Sequence, residues 1–391
     1  MSNSPTPSQP HIVVIGSGIL GAAIAFNLSQ RGAQVTVIDS GQPGRRATRI
    51  SFAWLNAYSK NPFHYHDINR RSLEMWRRFA ARLEAQQSVT KIDITWGGEL
   101  RWAVTQAGAD KLIARAKQLQ TWGYPTRLLS AADVLALEPS LRIEQLDGFI
   151  VASYSDIDGH VDAGQAVRAC VAAVEANGAE FCLGTAVTEL EIDADRSKVR
   201  AVCMGESRIE CDTVVLAGGA DTPNLAAMAG INAPFVSTFG ATILTEPLPK
   251  LFDTVAVLNS PRDGEPIINL RQLKDGTVMV QSYEPEHVQS EFDGDRGRED
   301  EEIDEIMRDA AAFLPALADA KVATINRGLR PVPHDNHPVI GFSQKVPNLY
   351  IATTHSGVTL TPLIGEMSAI EILDGVEVEL LKHYRVERFD T

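Results

Sequence analysis

The stretch HIVVIGSGILGAAIAFNLSQRGAQVTVIDSG, His11 to Gly41, decides the fold. His11 to Ile15 is a short β-branched run of the kind that forms a buried strand. Ile19 to Gln30 is rich in Ala, Ile and Leu with no breaker after Gly21, which predicts a helix, and Gly32 stops it. Gln34 to Asp39 reads as a second strand, so the stretch is one βαβ unit. Gly16, Ser17, Gly18, Ile19, Leu20 and Gly21 form a GxGxxG loop between the first strand and the helix. Gly16 permits the tight turn, Gly18 lets a pyrophosphate approach the backbone, and Gly21 allows the helix to pack closely on the strand. The helix start turns partial positive charge toward the phosphates. Asp39, with Ser40 after it, stands where an acid bonds ribose hydroxyls. With these parts in order, a dinucleotide is the expected ligand.

The rest of the chain chooses which dinucleotide. A nicotinamide site is typically completed within one compact N-terminal domain. Here a second glycine-bearing strand, CDTVVLAGGA (Cys211 to Ala220), lies far downstream. A second glycine-led helix start, THSGVTLTPLIGE (Thr354 to Glu366), lies further still. FAD is the longer cofactor, with its isoalloxazine well away from the adenine-binding strands, and it needs such distant segments to hold it.

Composition bounds the classes. The 391 residues suffice for two lobes with real cores, and a formal charge of −14 argues against a nucleic-acid footprint. Cys170, Cys182, Cys203 and Cys211 show no CxxC or Cys/His metal spacing, so free thiols and no metal are expected. The start MSNSPTPSQP reads as a loose tail without a charged n-region, and no apolar run approaches the ~20 residues of a membrane span. The expectation is a cytoplasmic chain.

Further along, residues 69–86 place Leu73, Trp76, Phe79, Ala80 and Leu83 on one helical stripe. Residues 108–122 and part of 158–178 read as helices, 184–193 with 197–205 as a hairpin, and 233–290 as alternating strands. The acidic stretch 291–306 reads as a solvated loop and helix start. The fold class is therefore α/β, a Rossmann-like FAD-binding domain interrupted by a mixed antiparallel β-sheet substrate domain. The expected division is a tail over 1–10, a discontinuous FAD domain over 11–90, 155–232 and 323–391, and a substrate domain over 91–154 and 233–322.

At this point the chain resembles the FAD-dependent amine and D-amino-acid oxidoreductase family, which includes D-amino acid oxidase, glycine oxidase, sarcosine oxidase and D-amino acid dehydrogenase. The resemblance rests on VVIGSGILGAAIAF, RRATRISFAWLN, DGHVDAGQAVRAC with GTAVTEL, VVLAGGA, and GLRPVPHDNHPVIG followed by HSGVTLTP. It implies cofactor contacts from Thr48 and Ser51 near the pyrophosphate. Arg45 and Arg46 lie toward the adenosine end, where a solvated loop is the competing reading. Val187 is placed at the adenine, and Ala217, Gly218 and Gly328 pass close to the cofactor. Ser356, Gly357, Val358 and Thr359 match the helix start whose N–H groups face flavin N1 and the C2 carbonyl. That answers why the chain has two such helix starts: the pyrophosphate and the reduced ring are both anionic.

The resemblance further implies that Arg330 of GLRP binds the substrate carboxylate, its planar fork suiting a bidentate pair; half of a structural ion pair is the alternative. His355 matches a less regular substrate contact, and His334 and His337 border a turn. In some sarcosine oxidases a cysteine near Gly328 tethers the flavin, so a non-covalent FAD is expected here. The loop Leu55 to Asn69 departs from the family, and Tyr58, His64, Tyr65 and His66 either line a pocket or pack; Tyr58 is the candidate substrate contact. The implied reaction is oxidation of an amino acid C–N bond, of a D-amino acid or an N-substituted one, with oxygen or a quinone as acceptor. A 2-hydroxyacid oxidase using His355 as base, and a flavin-bearing subunit of a larger complex, remain open, as does a homo-oligomer.

Overall fold

A computed structural model describes residues 9–86, 91–143, 148–195, 197–262, 265–282 and 296–390. The tail expected over 1–10 lies outside these up to residue 8, as do residues 291–295 of the acidic stretch.

The βαβ unit forms as read. His11–Ile15, the helix Ile19–Gln30 and Gln34–Asp39 occupy their expected bounds, and the two strands pair in parallel. They belong to a six-stranded sheet in the order Val339–Phe342, Leu349–Thr353, Thr213–Leu216, His11–Ile15, Gln34–Asp39, Glu180–Leu183. Every pairing is parallel except that between Val339–Phe342 and Leu349–Thr353. The strands of such a sheet are buried on both faces, which is why they read as continuous apolar runs rather than alternating ones. Ile19–Gln30 packs on Gly357–Asp374 and on Ala163–Ala176, so helices from the start, middle and end of the chain share one core.

The helix Phe63–Glu84 carries the expected stripe, and Leu73, Trp76, Phe79, Ala80 and Leu83 are all buried against that core. It begins six residues earlier than periodicity indicated. Its first turns, FHYHDIN, are aromatic and polar, so they lack the apolar repeat that marks the later turns. His64, Tyr65 and His66 are therefore helical rather than in a loop.

An eight-stranded sheet forms the other lobe, in the order Val322–Pro333, Phe235–Thr245, Val278–Ser282, Glu265–Gln272, Val257–Arg262, Glu99–Ala103, Val151–Ser155, Thr126–Leu129. One expected boundary moves. Val322–Pro333, counted with the FAD domain from residue 323, pairs along its whole length with Phe235–Thr245 in this second sheet. The physical reason is hydrogen bonding: a β-branched strand satisfies its backbone in whichever sheet its neighbour lies, and sequence does not reveal that neighbour. The chain returns to the first sheet only at Val339. Trp54–Leu55, Gly159–Val161 and Ile94–Trp96 make a small sheet of their own.

Candidate active site

The two sheets enclose a cavity of ≈ 1410 Å³, and its wall draws on segments from nearly the whole chain. The glycine loop forms one end. Gly16 has φ +110°, and a Cβ there would lie 2.3 Å from the Ala217 carbonyl oxygen. A Cβ on Gly21 would lie 1.9 Å from the Gly16 carbonyl oxygen, so Gly21 packs the loop and is not on the cavity wall. Asp39 accepts from both Ser17 N and Ser17 Oγ at 2.7 Å and from Gly41 N at 2.8 Å. The acid thus holds the glycine loop to the turn after the second strand while it lines the cavity.

Two helix starts face this space. Thr105, Ser130 and Asp162 cap their own helices through side-chain oxygens, whereas Gly18 and Ser356 make no such bond. Ile19 N donates instead to Thr48 Oγ1 at 3.1 Å, which brings RRATRI against the first helix. The second start is built rigidly. Thr359 Oγ1 donates to the Trp54 carbonyl at 2.9 Å, Trp76 Nε1 donates to the Val358 carbonyl at 3.1 Å, and Tyr65 Oη meets Ser356 Oγ at 2.7 Å. Gly357 lies against Leu20, so the two starts are neighbours. Helix N-termini with free donors favour anionic groups, each contact by ~0.3–1 kcal/mol when exposed and up to ~2 when partly buried.

The cavity wall unites Gly16, Gly18, Ile19, Leu20, Asp39, Ser40, Arg45, Arg46, Thr48, Ser51, Val187, Ala217, Gly218, Gly328, Arg330, His355, Ser356, Gly357, Val358 and Thr359. Arg46 is ion-paired with Asp221 and donates to Ser40 Oγ at 3.1 Å, while Arg45 is exposed at the rim. Cys170, Cys182, Cys203 and Cys211 are free and lie away from the wall.

Tyr58, the candidate substrate contact, and the histidines His64 and His66 are not on the cavity wall. Tyr58 is buried beneath Arg101, whose guanidinium carbon is 4.0 Å from the ring centre, and it does not reach the cavity. A phenol ring is shielded from the pocket there because a cation stacks over it. His66 has no role at the cavity either: Nδ1 bonds the Ala57 carbonyl at 2.8 Å. His64 stacks on His383 at 4.3 Å between centroids and is not on the wall.

His355 faces the cavity with its side chain exposed there, and its pKa is lowered by desolvation within the pocket and then by the charges of Lys60 and Arg330. Lys60 is a wall residue that sequence reasoning passed over, although it stands in the loop already marked as unusual. Burial lowers its pKa to about 8, and its Nζ lies 5.7 Å from the centre of the Tyr65 ring. Arg101, Asn259, Asn269 and Gln281 were also missed. They sit on strands whose polar positions alternate with apolar ones, a pattern that usually marks solvent-facing residues.

The donor set suits FAD. Two uncapped helix starts, a ribose-class acid, and a glycine cradle that a Cβ would fill lie along one elongated space. The model of the FAD dependent oxidoreductase family matches residues 11–369. Glycine oxidase of Bacillus licheniformis is 26% identical over 393 residues, covering 96% of each chain. An opine oxidase subunit of Agrobacterium tumefaciens is 26% identical over 386 residues, covering 97% of each. In fold, the crystal structure of glycine oxidase from Geobacillus kaustophilus superposes with a TM-score of 0.85 at 21% identity, covering 97% of this chain and 99% of that one. The chain belongs to the FAD dependent oxidoreductase family.

Proposed function

We propose that the protein oxidises the C–N bond of an amino acid, either a D-amino acid or one substituted on nitrogen, to an imine that water hydrolyses. The observation that carries this reading is the placement of Arg330 and His355 in one cavity with the uncapped start of Gly357–Asp374. FAD, when bound, supplies the hydride acceptor. Arg330 offers the planar fork for the substrate carboxylate, and Lys60 adds a second cationic centre on the same wall. The residues Ser356 to Thr359 present helix N–H groups where negative charge is favoured, and Gly16, Gly18, Asp39 and Thr48 serve the pyrophosphate and ribose end. Val187, Ala217 and Gly218 pass beside the cofactor.

A neutral amine needs no dedicated base, which suits a wall whose histidine is held toward its neutral form by desolvation and by the charges of Lys60 and Arg330. For the same reason the 2-hydroxyacid reading is the weaker one: a histidine beside two cationic side chains accepts a hydroxyl proton less readily. The relatives named glycine oxidase and D-amino acid dehydrogenase support the amine reading. Those named as opine oxidase subunits support a chain that works within a larger assembly, which co-purification from native extract tests.

The deciding experiment is an anaerobic screen of D-amino acids and N-alkyl amino acids that follows bleaching of the flavin band. Bleaching by members of either class is the expected result. Reduction by 2-hydroxyacids alone would replace the proposal.

A further inference from the structure

One transverse row of the eight-stranded sheet is polar from strand to strand. Asn326 stands opposite Thr242. Ile243 pairs with Val280, which sets Thr242 opposite Gln281. Gln281 faces Asn269, Asn269 faces Asn259, and Asn259 lies beside Arg101. All six are buried, none more than 9% exposed. The adjoining row, Ile243, Val280, Leu270, Leu258 and Leu100, points to the opposite face and packs in an apolar core. Six polar side chains in an unbroken buried row are costly unless something hydrogen-bonds them. Among the described residues, Thr242 Oγ1, Asn259 Oδ1 and Asn326 Oδ1 have no partner and are closed off from the cavity, while Asn259 Nδ2 donates to Glu99 Oε1, so it is Asn269 and Gln281 that present the row to a ligand.

This row is turned toward the site. Arg101, Asn259, Asn269 and Gln281 line the cavity. Strand alternation puts Arg330 on the same face as Asn326. The strand of Gln281 lies two strands from that of Arg330, about 10 Å across at ~4.8 Å per strand, and Arg330 stands four residues along from the row, ~13 Å at ~3.3 Å per residue, a gap its long side chain partly closes. Arg101 closes the row with its Nε on the buried Glu99 carboxylate at 2.9 Å, so the charge there is balanced and the row is polar rather than cationic. A carboxamide offers two donors and an acceptor, which together match a planar oxygen-bearing group.

We propose that this row is the subsite for a substrate substituent ending in a carboxylate or a carboxamide. The enzyme then takes amino acids with such a group on the side chain or on the amine nitrogen in preference to their alkyl counterparts. The proposal rests on the reading above, with the α-carboxylate on Arg330. An alkyl substituent would occupy the same space while leaving the buried amides unpaired, and sites built to hydrogen-bond discriminate strongly against such analogues.

The test uses ligands without an amine, so that it does not depend on turnover. FAD-loaded protein is titrated with pentanoate, glutarate and the monoamide of glutarate, read by perturbation of the flavin spectrum and by calorimetry. Glutarate and its monoamide should each bind about tenfold or more tighter than pentanoate, and their ranking tells which terminal group the row prefers. In the double variant Asn269→Leu, Gln281→Leu that advantage should vanish, with pentanoate binding at least as tightly as in the unaltered protein. Equal affinity for all three ligands in the unaltered protein overturns the subsite, as does an advantage that survives in the variant. A gain for glutarate without one for the monoamide also overturns it, because charge alone would account for that. Should the variant not retain FAD, the comparison in the unaltered protein decides. Failure of the amine-oxidation reading looks different: no amino acid bleaches the flavin, whatever the carboxylates do.

Discussion

The guanidinium of Arg330 fills the space that a Cβ on Gly240 would take, its Nε, Cζ and Nη2 lying 2.3–2.5 Å from that position. Gly240 is paired with Gly328 on the neighbouring strand, and its φ is one that any residue adopts. A methyl group there meets only the movable end of a long side chain. Gly240→Ala should therefore fold and hold FAD normally, yet displace the arginine and weaken carboxylate binding about tenfold, since a charge-assisted bidentate contact is worth about 1.5–3 kcal/mol. Titration with pentanoate checks it; unchanged affinity would remove Arg330 as the anchor.

Gly21 behaves oppositely. A Cβ there meets backbone, the Gly16 carbonyl oxygen at 1.9 Å, and neither partner can step aside. Gly21→Ala should lower stability by about 1–3 kcal/mol or more and reduce FAD content together with it. Thermal melting with and without added FAD reads both.

Lys60 sets a pH dependence. Burial brings its pKa down to about 8, so it is cationic below that pH and neutral above. Affinity for an inert carboxylate should fall as pH rises through about 8, and Lys60→Met should flatten the profile. Stability runs the other way. The folded pKa lies below the ordinary lysine value, so the unfolded chain binds more protons between the two, and stability from this group rises with pH across that window. Pentanoate titrations from pH 6 to about 10 read the first effect, and thermal melts over the same range read the second.

The C-terminal segment is tied down by a buried carboxylate. Glu371 takes Arg385 Nη2 at 2.5 Å and Nη1 at 2.9 Å, the Tyr350 hydroxyl at 2.8 Å and Val378 N at 2.8 Å. Arg385 passes through the space left by Gly341, whose φ is +130°. Arg385→Ala leaves that carboxylate uncompensated and should cost about 3–5 kcal/mol. Denaturant unfolding of the holoenzyme is the measurement.

None of the four cysteines reaches the cavity wall, and Gly328, which does, has no side chain to form a link. Acid precipitation should release all the flavin to the supernatant. Colour left in the pellet would show a covalent link through another residue.

Local chemistry made much of this legible. The glycine loop with its flanking strands is one contiguous stretch whose spacing is fixed by the turn geometry of a βα unit, and the late helix start is a second short stretch readable by itself. Arg330 stood out because a basic residue between Leu329 and Pro331 is conspicuous. Tyr58 misled because an aromatic residue in an unusual loop looks like a pocket wall, whereas Arg101, distant in sequence, stacks over it. Lys60 was passed over because a single lysine in a polar loop ordinarily lies in solvent.

What sequence determined by itself was the nucleotide-binding unit, because hydrophobic period and glycine placement act over neighbouring residues. Tertiary structure alone decided which sheet Val322–Pro333 joins and that Asn326, Thr242, Gln281, Asn269, Asn259 and Arg101 stand in one row. Strand order and register arise from pairing between remote segments, and each polar residue of that row is unremarkable until its neighbours are beside it.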